Sequence, residues 1–165
     1  MKGYPLALLA RVRQKREEDA AADYAAKSKA LLAAREETRA RRQALEDYLI
    51  WRKQEEDRRY QEVLGKEMSR QDMDEFKAGV ASLREKDNVL MEALEEARRA
   101  EEEAESRQNE ARAVLRQRRK DKEKISAHQE IWETAEAREA ERREDMEMED
   151  FSSLNKTESE GDNND

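Results

Sequence analysis

From Met73 to Trp132, alternating steps of three and four residues visit eighteen positions, and twelve of them are apolar. The apolar ones are Met73, Phe76, Val80, Leu83, Leu90, Leu94, Ala97, Ala104, Ala111, Leu115, Ile125 and Trp132. Asp87, Glu101, Gln108, Arg118, Lys122 and Gln129 interrupt them. A spacing that averages 3.5 residues and persists this long describes a helix burying one narrow seam against another helix. A strand needs a period of two, and a helix in a globular core needs a wider apolar face.

Composition excludes the alternatives. Charged residues make up 46% of the chain and apolar residues 36%, many of them alanine. A globular domain of 165 residues needs far more Leu, Ile, Val and Phe to fill its core. Low hydrophobicity also accompanies disorder. Here, however, the dominant residues are strong helix formers, and almost nothing between residues 6 and 149 would break a helix.

The chain carries one signal for reversal. Pro5 suits a first helical turn. The helical pattern then runs to Leu64, where Gly65 interrupts it, and Ser69 with Asp72 three residues later reads as a capping box. The expected fold is all-α: a long antiparallel two-helix coiled-coil hairpin over 1–151, with helices at 5–64 and 70–150 and a turn at 65–69. Paired residue numbers should sum to roughly 134, so Tyr4 and Trp132 should meet. Residues 152–165 lack periodicity and form an expected disordered acidic tail. The first helix reads less regularly. Leu6, Leu9 and Val12 begin one stripe; Tyr24, Ser28, Leu31, Thr38, Leu45, Leu49 and Val63 fit another phase, which predicts a stutter between residues 13 and 24.

No catalytic, metal or cofactor site is expected. His128 is the single histidine, cysteine is absent, and the four glycines are isolated. No apolar run approaches the ~20 residues that span a bilayer, and the N-terminal apolar stretch is interrupted by Arg11 and Arg13 too early for a signal peptide. The cytoplasm is the expected location, without direct membrane insertion. Residues 144–165 hold nine acids and one lysine; the remainder, 33 acids against 33 bases, is neutral. A neutral body argues against nucleic-acid binding, which needs a basic face.

Charge is nonetheless uneven within that body. Residues 1–16 contain Lys2, Arg11, Arg13, Lys15 and Arg16 and no acid; residues 112–124 contain seven bases, among them Arg116, Arg118 and Arg119, against two acids. Hairpin pairing brings the runs together, where their repulsion should weaken the hairpin unless an acidic partner relieves it. The alternative is a solvated face. Trp51 sits off the seam and is either a shield for the seam edge or a partner anchor.

These residues resemble a known family. The stretches Tyr4-Pro-Leu-Ala-Leu-Leu-Ala-Arg-Val-Arg13, Trp51-Arg-Lys-Gln-Glu-Glu56 and Leu83-Arg-Glu-Lys86, with His128, Trp132 and the acidic run Glu144 to Phe151, are similar to the YscO proteins of bacterial type III secretion, relatives of flagellar FliJ. The resemblance implies a central stalk and adaptor in the pore of the hexameric secretion ATPase, reaching toward the export gate protein and linked to secretion chaperones. It implies a site peripheral to the inner-membrane secretion apparatus. With the ATPase as that partner, the two charge runs that hairpin pairing brings together make Arg11, Arg13, Arg16, Arg116, Arg118 and Arg119 the expected ATPase contacts. By position after the turn, the resemblance makes Phe76, Val80 and Leu83 the expected gate contacts; Asp87, next in that pattern, departs from it. The same three residues are seam positions, so packing alone also accounts for them. Two other classes stand beside this one: a structural coiled-coil spacer acting as a parallel homodimer, and a holdase, whose tips should be apolar where these are charged.

Overall fold

A computed structural model of the chain describes residues 2–161. It contains two helices, α1 (Ala7–Val63) and α2 (Arg70–Gly161), which run antiparallel and pack against each other. Among the described residues there is no strand.

The seam follows the heptad. Of the eighteen positions from Met73 to Trp132, all but Met73 are buried or half-buried. The α1 side differs from the reading of its sequence. Its sheltered positions include Ala10, Arg13, Glu17, Ala20, Tyr24, Leu31, Ala34, Thr38, Leu45, Tyr48, Arg52 and Glu56. Through Arg52 they follow one phase, with no stutter between residues 13 and 24; Glu56 lies one place beyond that count, next to half-buried Glu55. Leu9, Val12 and Leu49 lie off the seam and are exposed. The supposed change of phase arose from counting only apolar residues, where the seam itself uses Arg13, Glu17, Arg52 and Glu56.

Contacts divide the chain into two compact units, one of residues 22–113 and one that joins the first 21 residues to those from 114 onward. In the 22–113 unit the register is fixed by polar pairs across the seam. Gln108 donates to the Ser28 hydroxyl at 3.1 Å and Arg112 to the Tyr24 hydroxyl at 3.2 Å; the numbers of each pair (28 and 108, 24 and 112) sum to 136. Leu31, only 2% exposed, is the best-buried side chain. Near it the Thr38 hydroxyl reaches the carbonyls of Ala34 on its own helix (3.1 Å) and Ala97 across the seam (3.2 Å). Alanines at 34 and 97 let the backbones come close enough for that bond.

The turn occupies Leu64–Ser69. Gly65 has φ +77°, the left-handed conformation that commonly ends a helix, and Lys66 N–H returns to the Val63 carbonyl at 3.2 Å. Ser69 Oγ accepts from Asp72 N–H (3.1 Å) while Asp72 Oδ2 accepts from Ser69 N–H (3.2 Å), which satisfies two donors at the start of α2.

In the other unit, Ala20, Leu115 and Ile125 form the buried seam. Tyr4 closes it, with ring centroids 5.5 Å from Trp132 and 5.7 Å from His128 and its hydroxyl 2.6 Å from His128 Nδ1. Lys2 and Gly3 border Glu136 and Ala137, and α2 continues beyond them to Gly161. The expected end near residue 150 therefore lies eleven residues short of the helix described. Nothing between 151 and 160 forbids helix: there is no proline, and glycine first appears at Gly161. Missing apolar periodicity removes a packing partner, not the helical backbone. The last residues of the expected tail, 162–165, lie outside the described residues.

Candidate functional site

Arg11, Arg16, Arg116 and Arg119 are exposed; Arg13 and Arg118 occupy the seam and are half-buried. Arg13 crosses to α2 and donates through Nη1 to the Asp121 carbonyl at 2.9 Å, so its head group is a strut between the helices. Arg119 Nε lies 3.6 Å from Glu17 Oε1, and Lys122 Nζ lies 3.7 Å from Glu17 Oε2. Glu17, one residue beyond the acid-free stretch, thus sits between two bases of the opposite run. Glu17 offsets part of the expected repulsion inside the chain. Its heptad position, four after Arg13, is the signal that would have found it. What remains for a partner is the outer face, with guanidinium groups from both helices.

The three candidate gate residues lie in the 22–113 unit. Phe76 is half-buried and edge-on to Tyr60, with centroids 5.2 Å apart and planes at 75°. Val80 is buried. Leu83 is half-buried, and its carbonyl accepts from the Tyr48 hydroxyl at 2.8 Å. Burial pushes the Tyr48 phenol up from its ordinary value. All three contribute first to packing, and only the edges of Phe76 and Leu83 reach the surface.

One turn further along α2, the seam becomes ionic. Arg52 Nε lies 3.0 Å from Asp87 Oδ1, but its N–H is not aimed at that oxygen, so the contact is an ion pair without a hydrogen bond. Glu56 accepts from Arg84 Nε across the seam at 3.0 Å and from Arg52 Nη1 at 3.1 Å. These donors, Arg84 above all, hold the Glu56 carboxyl below its usual range. Beside them Trp51 packs against Tyr48 with ring centroids 5.6 Å apart and planes tilted by 37°, and it is 47% exposed.

Among the described residues there is no group of acidic, His or Cys side chains able to hold a metal, and no helix long and apolar enough to cross a membrane. The depressions along the helices are shallow and open.

The model of the family described as type III secretion protein YscO matches residues 6–154. A solved Chlamydia trachomatis protein, CT670, proposed in its description as a YscO homologue, superposes with a TM-score of 0.77 at 21% sequence identity, covering 98% of this chain and 99% of its own. That likeness is one of fold. No curated protein matches the chain.

Proposed function

The chain belongs to the YscO family of type III secretion proteins, and from that premise we propose that it is the central stalk and adaptor of a bacterial secretion ATPase. In this reading it binds in the pore of the ATPase hexamer, links it to the export gate and receives secretion chaperones. It works by binding and not by catalysis, on the cytoplasmic side of the inner membrane. One observation carries the ATPase contact: exposed Arg11 and Arg16 of α1 share an end of the hairpin with Arg116 and Arg119 of α2. Bases contributed by both helices suit insertion among acidic surfaces, because each helix then meets a complementary wall. A gate contact at Phe76, Val80 and Leu83 would use the exposed edges of Phe76 and Leu83, since Val80 is buried.

The test is charge reversal at Arg16 and Arg116, both exposed and neither one a strut across the seam. Arg16→Glu with Arg116→Glu should weaken binding to the cognate ATPase about tenfold, on the order of 1.4 kcal/mol, and leave helicity unchanged. The binding that remains should fall with salt, since exposed charges are screened over about 10 Å at 0.1 M. Reversing exposed Glu102 and Glu105 should do little. Unaltered ATPase binding and stimulation by the Arg reversals would reduce the basic end to a solvated face.

A further inference from the structure

Beyond the residues that face the start of the chain, α2 opens a second apolar stripe. Ala137, Ala140, Met148 and Phe151 follow helical spacing, with Glu144 in the single gap. Met148 and Phe151 are each 71% exposed and border a shallow depression with Glu144, Asp145 and Glu147. An amphipathic face of this kind marks an interaction surface. Its surroundings define the partner. Residues 144–151 carry five acids and no base, so the matching surface must be basic as well as apolar.

The chain itself carries that surface. Residues 1–16 contain five bases and no acid, and α1 exposes Leu8, Leu9 and Val12 there, off its own seam. The segment between is self-complementary in the antiparallel sense. Glu136 and Arg143 stand at equal distances from the point midway between residues 139 and 140, and so do Arg138 and Glu141. Two α2 extensions crossing antiparallel at that point would set Glu136 against Arg143 of the second copy and Arg138 against Glu141. Ala140 would lie at the crossing, where a small side chain permits close approach. In the same register Phe151 comes level with residue 128 of the second copy, beside its Leu8.

We propose that two copies of this chain associate through these extensions as an isologous antiparallel dimer, the acidic apolar stripe of each covering the basic N-terminal face of the other. The dimer and the ATPase contact use the same basic face of residues 1–16 and would compete for it, but the dimer is read from the mass of the free chain and does not rest on ATPase binding.

Sedimentation equilibrium of the full chain, from about 1 to 200 μM, tests it. A monomer of 19.4 kDa in equilibrium with a species of twice that mass is expected, with association weakening as salt rises. Met148→Glu with Phe151→Glu should raise the dissociation constant at least tenfold without loss of helicity. Arg138→Glu alone should weaken the dimer, and adding Glu141→Arg should restore it, because the exchanged pair is again complementary across the two-fold axis. A chain that stays monomeric throughout overturns the proposal. So does a dimer indifferent to the Met148 and Phe151 changes, or one that Glu141→Arg does not rescue.

Discussion

Glu56 shows how a single residue can organise a seam that the apolar pattern does not reveal. Its side chain is 12% exposed, and it accepts from Arg52 and Arg84. Removing it would leave Arg52, 21% exposed, without one of its carboxylate partners. Glu56→Ala should therefore cost about 1–2 kcal/mol at neutral pH, below the cost of breaking a fully buried pair because Arg84 is 62% exposed and screened by solvent. The pH dependence has a definite sign. The folded chain holds the Glu56 carboxyl below its ordinary 4.5, so its contribution is present above that value and is lost as pH falls through the depressed one. Urea melts of the wild type and Glu56→Gln should thus differ at pH 7 and converge in acid; a constant difference would show that the charge does no stabilising work. At this scale the sequence was least legible. Arg13, Glu17, Arg52 and Glu56 occupy α1 seam positions, yet their residue types are those of a solvated surface. The heptad count, continued through polar positions, identifies Arg13, Glu17 and Arg52, while Glu56 lies one place beyond it.

Elements were far more legible, because helix and its interruption are written in the backbone preferences of individual residues. Gly65 and the Ser69–Asp72 box mark the reversal in the sequence, and the structure gives Gly65 a left-handed φ and joins the box by two hydrogen bonds. What could not be read was the far end of α2, where no residue type stops the helix and no apolar pattern requires it. Two glycines now make opposite predictions. A Cβ at Gly65 would meet no atom within 4 Å, so Gly65→Ala pays only for the left-handed backbone, about 1 kcal/mol of lost stability. Gly79 lies inside α2, and a Cβ there would come 3.0 Å from Arg59 Nη1, the far end of a flexible side chain that can move aside. Gly79→Ala should stabilise by roughly 0.5–1 kcal/mol through helix propensity. Thermal unfolding checks both signs; a Gly65→Ala chain as stable as the wild type would mean that the turn does not need its left-handed residue.

For the molecule as a whole, the central choice is between a chain that folds back on itself and one that pairs in parallel with a copy. Composition and heptad allow both, since each satisfies the same apolar seam. The register separates them. Tyr60 with Phe76 and Arg35 with Glu101 lie in the 22–113 unit, Glu17 with Arg119 and Tyr4 with Trp132 in the other, and the two numbers of every pair sum to 136. A parallel dimer places each residue beside its own copy, where none of these pairs forms. The polar contacts are also directional: the Thr38 hydroxyl finds the Ala97 carbonyl and the Tyr48 hydroxyl finds that of Leu83 only with the helices antiparallel in this register. The chain lacks cysteine, so two can be introduced and labelled cleanly. Leu32 is 62% exposed and the Glu103 side chain 64% exposed, and their numbers nearly satisfy the same sum, so spin labels there should not disturb the seam. Doubly labelled chain diluted into excess unlabelled chain should show a short intramolecular distance, near the ~10 Å of packed helices plus the reach of the labels. In a parallel pair the same labels lie 71 residues apart along one helix, about 100 Å at 1.5 Å per residue, too far for measurable coupling. Dilution removes any contribution between copies, including one from the proposed dimer. Loss of the short distance on dilution would therefore rule out the hairpin, and its persistence would leave the parallel spacer without support.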